Sequence, residues 1–256
     1  MTKTIAITGA ASGIGLAIAQ RMAREGWSIG MIDLSEEALQ AAAETVTGGQ
    51  VITIAADVTD ASALRGAFDH ITTQTGALHA VCNNAGILRG GAFAEAPLAD
   101  HHSQIEVNIK GVVNGAYLAF PHLQKTQGPT HLINTCSVSA IYGAPNVAVY
   151  SSTKGFVRHL TEALSLEWEE HGIAVQAIWP PVVKTPLIEA EAMQKVARKH
   201  GIDMGPEGVA TEVAHMLSTY KPVRVHRVQT LKFRCLYVLQ GLLPGPLFRA
   251  MVRALA

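Results

Sequence analysis

Cysteine is scarce in this chain. Cys82, Cys136 and Cys235 are the only three, an odd number, widely spaced and set among apolar or small residues. That leaves no disulfide frame and no cysteine-built zinc site, and it predicts reduced core thiols in the cytoplasm. Charge is sparse too. Charged residues make up 16% of the 256 positions against 48% hydrophobic, which excludes long disorder and predicts a packed globule of one α/β domain. Acidic residues are missing from Val213 to Ala256, where Lys221, Arg224, Arg227, Lys232, Arg234, Arg249 and Arg253 stand alone. A net charge of zero therefore hides a basic tail balanced by an acidic remainder. Met1-Thr2-Lys3 runs straight into an apolar strand, leaving no room for a signal peptide. The longest uncharged apolar stretch near the end, Cys235 to Phe248, holds 14 residues and two prolines, too few to span a bilayer. No internal repeat or low-complexity run appears. Eleven histidines are present, but no His, Cys, Asp and Glu group has metal-ligand spacing.

What is present is an alternation. Apolar runs of strand type at Thr4–Thr8, Ser28–Ile32, Val51–Ala55, Leu78–Cys82, His131–Asn134 and Ile173–Trp179 alternate with helical stretches. Those stretches cover Leu16–Glu25, Ser35–Thr45, Ser62–Thr75, Leu98–Gln124 and Tyr150 to about His171. This pattern predicts one doubly wound parallel sheet of Rossmann type with helices on both faces, all strand ends lying along one edge. The main domain is expected to span residues 1–220, with a long loop at about 182–206, and a basic, apolar extension over 221–256 to pack on it.

Several strand ends carry residues of chemical interest. The first is followed by Gly9-Ala10-Ala11-Ser12-Gly13-Ile14-Gly15 and then a helix. Strand, glycine turn and helix is the context of a phosphate-cradling loop, although glycines suit any tight turn of this kind. The second strand ends in Asp33, 18 residues past Gly15, placed to accept hydrogen bonds from a ribose hydroxyl and to repel a 2′-phosphate. No Arg or Lys stands at Ala11, Ser12 or Leu34, which favours NAD over NADP; a capping role for Asp33 is the structural alternative. The fourth strand ends in Asn83-Asn84-Ala85-Gly86. In the long helical stretch, Asn108, Gly111 and Gly115 conflict with helix propensity, the mark of a site or of close packing. Tyr150 and Lys154 share one helix face, where an ammonium would pull a phenol toward working pH. Alone, that pair is equally well a packed tyrosine beside a solvated lysine.

Together these residues resemble the short-chain dehydrogenase/reductase family over roughly residues 1 to 212. Thr8 to Gly15 is similar to its cofactor loop, Asp57 to its adenine-contacting acid and Asn83-Asn84-Ala85-Gly86 to its NNAG segment. Asn108, Ser137, Tyr150 and Lys154 match its catalytic tetrad. Ser137 lies 13 residues before Tyr150, the family spacing, with Ser139 a second candidate. The resemblance implies NAD held by Gly9, Ser12, Gly13, Ile14, Gly15, Asp33, Leu34, Asp57, Val58, Asn84, Ala85, Gly86, Tyr150, Lys154, Pro180, Val183 and Thr185. It implies hydride transfer to or from a secondary alcohol or ketone. Tyr150 would be the acid/base, Lys154 would lower its pKa and hold the nicotinamide ribose, Ser137 would bind the substrate oxygen, and Asn108 would hold a water leading from Lys154. The pocket expected from Ile87, Leu88, Val138, Tyr142, Val182, Leu187 and Met193 is apolar, and Arg89 and Lys184 are not clearly placed to clamp an anion. A hydrophobic substrate follows, aromatic or steroid-like. The alternatives are an NADP-dependent carbonyl or ketoacyl reductase, and a non-catalytic NAD-binding redox sensor.

Two departures from the family stand out. Pro180-Pro181 replaces the usual Pro-Gly after the sixth strand and stiffens that loop. The family's terminal strand and Asp-Gly-Gly segment, which helps build tetramers, is absent, so the expected homo-oligomer is a dimer in preference to a tetramer. The tail is expected to pack as a lid or dimer contact ahead of touching an anionic membrane surface, and nucleic-acid binding is not expected.

Overall fold

The computed structural model describes residues 2–185, 204–219 and 225–255. Its strands are apolar on both sides, and one seven-stranded parallel sheet with helices on each face buries them. The order along the chain begins β1 (Thr4–Thr8), α1 (Gly13–Arg24), β2 (Ser28–Asp33), α2 (Glu36–Ala43), β3 (Val51–Ala55), α3 (Ala61–Thr75) and β4 (Ala80–Asn83). It continues through α4 (Leu98–Ile105), a π-helical turn (Glu106–Lys110), α5 (Gly111–Lys125), β5 (Thr130–Thr135), α6 (Ala148–Glu167) and β6 (Ile173–Trp179). Helix α7 (Pro206–Ser218), β7 (His226–Val228), α8 (Leu231–Leu242) and α9 (Gly245–Leu255) close it.

Strand neighbours run β3-β2-β1-β4-β5-β6-β7, every pair parallel. After β3 the chain crosses to the other side of β1. The crevice this leaves at the C-terminal ends of β1 and β4 is where open α/β sheets bind ligands.

The period-two alternation of each strand sorts side chains between two cores. On one face Ile5, Ile7, Ile29, Met31 and Cys82 pack against Ile18 and Met22 of α1, Leu39 of α2, and Val209 and Val213 of α7. On the other, Ala6, Ile32, Ile52, Val81, Leu132 and Val175 meet Leu64, Phe68 and Ile71 of α3 and Ala116, Ala119 and Leu123 of α5. A third cluster at the β6 and β7 end gathers Trp179, Val228, Val157, Ile141, Phe233 and Leu236.

Four sequence expectations need correction. The stretch Leu98–Gln124 is not one helix: the π turn splits it, and Gly111 N–H bonds back five residues to the Glu106 carbonyl. The helix bearing Tyr150 starts earlier, at Ala148, and ends at Glu167, with a separate 3₁₀ turn at Glu169–His171. A terminal strand does exist: β7, three residues long, pairs with β6, although no Asp-Gly-Gly segment follows it. Cys82 and Cys136 are buried thiols, but Cys235 is exposed, because α8 turns it away from Phe233 and Leu236.

Candidate active site

The glycine turn after β1 has the conformation its composition demands. Gly9 and Gly13 have φ of +67° and +54°, in the region that favours glycine. At Gly15 a Cβ would lie 2.1 Å from the Gly9 carbonyl oxygen, so only glycine lets α1 begin this close to the turn. The Ser12 side chain makes no capping bond, and the first helical bond runs from Leu16 N–H to Ser12 C=O. The N–H groups of Gly13, Ile14 and Gly15 therefore lack helical partners at the positive end of the α1 dipole. That arrangement fits a dinucleotide pyrophosphate.

A hydrogen-bonded brace holds the turn against β4. Asn84 Nδ2 donates to the carbonyls of Thr8 and Gly9 at 3.1 and 3.2 Å, and its Oδ1 accepts from Thr135 Oγ1 at 3.2 Å. Thr8 Oγ1 accepts from the backbone N–H groups of Asn84 and Ala85 at 3.0 and 3.1 Å. Asn84, expected to touch the cofactor, has a side chain given over to this brace. Asp33 closes the crevice on the β2 side, where its carboxylate accepts from Ala11 N–H at 2.9 Å and Leu34 N–H at 2.8 Å. Leu34 is largely exposed, and Asp57, also exposed, accepts from Thr59 N–H at 2.8 Å. Val58 is buried, and its carbonyl accepts from Asn114.

The four residues expected to form the tetrad lie at the other side of the crevice. Asn108 sits in the π turn, fully buried. Its Oδ1 accepts from Ile87 N–H at 2.8 Å, and its Nδ2 donates to Ile87 C=O at 2.9 Å and to Thr153 Oγ1 at 3.1 Å. Both amide atoms are thus engaged in pinning the segment after Gly86 to α6, so a water held by this side chain would compete with those bonds. The glycines of the same stretch serve close packing. A Cβ on Gly115 would lie 2.0 Å from Asn83 Oδ1, and one on Gly111 would lie 2.7 Å from Val58. Asn83 in turn donates to Asn134 Oδ1 at 3.0 Å, and Asn134 to Thr161 at 3.0 Å, so a buried polar chain ties α5, β4, β5 and α6 together.

Lys154 is 4% exposed. Its Nζ donates to the Thr135 carbonyl at 2.8 Å and lies 5.6 Å from the centre of the Tyr150 ring. The Ser137 hydroxyl lies beside the Tyr150 phenol, where it favours the charged form, and accepts from Ser139 N–H at 3.2 Å. Ser139 has a buried hydroxyl with no hydrogen-bond partner among the described residues, so of the two candidate serines Ser137 is the one that faces Tyr150.

The electrostatics differ from expectation. Burial dominates both groups. The Tyr150 phenol is pushed up to about 12, with the Ser137 hydrogen bond pulling the other way, and the Lys154 ammonium is brought down to about 8. The expected lowering of Tyr150 by Lys154 is not what this geometry gives, because the charge that should favour the phenolate is itself desolvated and turned to the Thr135 carbonyl. Cys136, beside them, is buried and raised to about 12, so it stays a thiol and is no nucleophile.

On the substrate side Leu88 and Val138 are buried, Ile87, Tyr142 and Val182 partly so. Leu187 and Met193 lie outside the described residues, as does most of the 182–206 loop. Before that gap the Pro180 carbonyl accepts from Val138 N–H, Val183 bridges to Met204, and Thr185 Oγ1 donates to the Val183 carbonyl at 3.4 Å. Arg89 faces Asp100 at 4.0 Å, half exposed. Among the described residues no group of three His, Cys, Asp or Glu is close enough to hold a metal.

Two residues that matter to this geometry escape the sequence reading. Thr135 binds Lys154 through its carbonyl and Asn84 through its hydroxyl, and Thr153 binds Asn108. Thr135 ends β5, the same kind of position that singles out Asp33 and Asn83.

Known proteins resemble this chain over most of its length. The family model described as short chain dehydrogenase matches residues 3–195. The chain is 31% identical over 223 residues to meso-2,3-butanediol dehydrogenase of Serratia marcescens, covering 84% of this chain and 87% of that protein. It is 32% identical over 221 residues to cyclohexanol dehydrogenase of an Acinetobacter species, covering 84% and 88%. A crystal structure of a short-chain type dehydrogenase/reductase from Mycobacterium marinum superposes with a TM-score of 0.83 at 28% identity, covering 91% of this chain and 96% of that one.

Proposed function

The chain belongs to the short-chain dehydrogenase family, and from that premise we propose that it moves hydride between NAD and a hydrophobic secondary alcohol or its ketone. The observation that carries the reading is the contact of Ser137 with Tyr150 directly above buried Lys154, at the mouth of a crevice walled by the glycine turn. The family's nicotinamide cofactor supplies hydride donor and acceptor chemistry when bound. The free N–H groups of Gly13 to Gly15 and the Asp33 carboxylate are the groups we assign to its pyrophosphate and ribose. Asp33 and the lack of a nearby cation at Ala11, Ser12 or Leu34 support NAD over NADP.

The side chains divide the work. Ser137 donates to the substrate oxygen and holds it against Tyr150, where negative charge develops during ketone reduction. Tyr150, neutral at physiological pH, delivers its proton to that oxygen as the carbon–oxygen double bond is reduced. In the oxidative direction Tyr150 must first lose its proton, so alcohol oxidation is favoured by alkaline pH. Lys154 lies against the face of the Tyr150 ring and holds it in place from below. Asn108 fixes the backbone at Ile87, and with it one wall of the pocket.

An apolar pocket supports a hydrophobic substrate, and the same relatives support its class, one named for butanediol and one for cyclohexanol. The exposed apolar side chains Leu98 and Ile105 of α4, Val113 and Tyr117 of α5, and Phe156 and Leu166 of α6 support a homodimer through these helices. The reading keeps the protein in the cytoplasm. A panel of secondary alcohols and ketones, run with NAD and with NADP and followed by absorbance of the reduced cofactor, tests the function. Turnover with NAD across hydrophobic substrates is expected. Cofactor binding without turnover on any of them would favour a redox-sensing role, and a preference for NADP would move the chain to the carbonyl reductases.

A further inference from the structure

We propose that the outer face of the α8 and α9 pair is a docking surface for an anionic lipid bilayer. Helix α8 is apolar on two sides. Its inner side packs Phe233 and Leu236 against Trp179 and Val228, and Tyr237 joins the same cluster. Its outer side carries Leu231, Cys235, Val238 and Leu242, spaced i, i+4, i+7 and i+11 on one face. These are not marginal exposures: Leu231 is 76% and Leu242 73% exposed, and Leu247 at the start of α9 adds 60%. A surface helix in water has one apolar side and one polar side, and a second apolar stripe needs a second apolar phase.

Charge decides which phase. Lys232, Arg249 and Arg253 are exposed around the stripe, and no acidic residue occurs from Val213 onward. A second copy of the chain meeting this face through a two-fold axis would set like charges against like. An anionic bilayer offers both what the stripe needs and what the cations need: acyl chains beneath phosphate and carboxylate headgroups. The helices would lie in the interface and not cross it. Helix α8 has 12 residues, which rise about 18 Å against a hydrocarbon core of ~30 Å. Among the described residues no helix is long and apolar enough to span.

The orientation that follows bears on substrate. The inner side of α8 and α9 reaches Ile141, Tyr142 and Val138 through the shared cluster, and these residues directly follow Ser137. A bilayer on the outer side therefore lies on the substrate side of the site, where alcohols or ketones partitioned into lipid are concentrated. This consequence rests on the proposed chemistry; the docking itself does not.

Full-length protein is sedimented with phosphatidylcholine vesicles, with and without phosphatidylserine, at low and high salt. Binding to the phosphatidylserine vesicles at low salt and release at high salt are expected. Each basic residue near an anionic surface is worth about a fivefold step in binding, so R249E/R253E is expected to bind at least tenfold more weakly. L242E/L247E is expected to abolish binding while keeping wild-type turnover of a water-soluble alcohol and a wild-type melting temperature, which shows that the fold survives. Absence of vesicle binding by the wild type at low salt would overturn the proposal. So would equal binding to both vesicle types, or a fall in the light-scattering mass of L242E/L247E, which would make the face a subunit contact.

Discussion

Replacing Lys154 with methionine removes a buried charge from under Tyr150 while keeping a side chain of similar length. The ammonium's pKa lies at about 8, down from its ordinary 10.5, because burial disfavours the charged form. The unfolded chain therefore holds this proton up to about 10.5, while the folded chain releases it near 8. Between those values the unfolded state binds more protons, so the wild type gains stability as pH rises. Below pH 8 the full penalty of the buried charge is present, and above 10.5 it is gone. At ~1.4 kcal/mol per pH unit the whole window is worth about 3 kcal/mol, of which about 2–3 falls between pH 7 and 10. Lys154→Met cannot show this gain. Its loss of the bond to the Thr135 carbonyl is a constant offset that cancels when pH values are compared, and all other titrating groups are shared. Urea unfolding of both proteins at a series of pH values from 7 to 10 measures the difference. The wild type should gain about 2–3 kcal/mol on the variant across that range. A difference that stays flat would mean that Lys154 titrates like a solvated lysine, and the account of a desolvated cation beneath Tyr150 would be wrong.

Two glycines give opposite results on the same substitution. Gly66 lies exposed within α3 with nothing near its missing Cβ, so Gly66→Ala should stabilise by about 0.5–1 kcal/mol. Gly115 in α5 faces Asn83 Oδ1 at 2.0 Å from that position, so Gly115→Ala should cost about 1–3 kcal/mol; thermal unfolding of the two variants reads both, and equal shifts would refute the packing argument. Asp33→Ala should lower affinity for NAD and leave that for NADP the same or better, measured by fluorescence titration of each reduced cofactor. An unchanged ratio would remove Asp33 from cofactor choice.

Strands β1, β2, β3, β5 and β6 were legible to within a residue or two, because each is a short apolar run closed by a turn or an acid. The candidate site was legible for a related reason: parallel strands end together, which brings Gly9, Asp33, Asn83 and Ser137 to one edge of the sheet. The π turn at Glu106–Lys110 was not, since a single turn of five residues is too short to show a period of its own; only the conflict of Asn108 with helix propensity marked it. Strand β7 hid behind its length and its composition, three residues with arginine in the middle.

The direction of the Tyr150 shift was hidden for a deeper reason. Spacing places Lys154 on the same helix face, but it says nothing of solvent. Burial of both groups, with the Thr135 carbonyl capturing the ammonium, reverses the expected sign. The second apolar side of α8 was also invisible as such: an uninterrupted apolar stretch reads as core until Phe233 and Leu236 are seen to occupy the inner side and Leu231 and Leu242 the outer.

The central claim is that Tyr150 carries the proton that accompanies hydride transfer. Tyr150→Phe keeps the ring over Lys154 and removes the phenol oxygen that faces Ser137. Steady-state ketone reduction and alcohol oxidation by this variant should fall by about 10²-fold or more, the usual scale for loss of a general acid or base. Binding of NADH, followed by its fluorescence, should stay at the wild-type level. Turnover within a few-fold of wild type with cofactor binding intact would contradict the account.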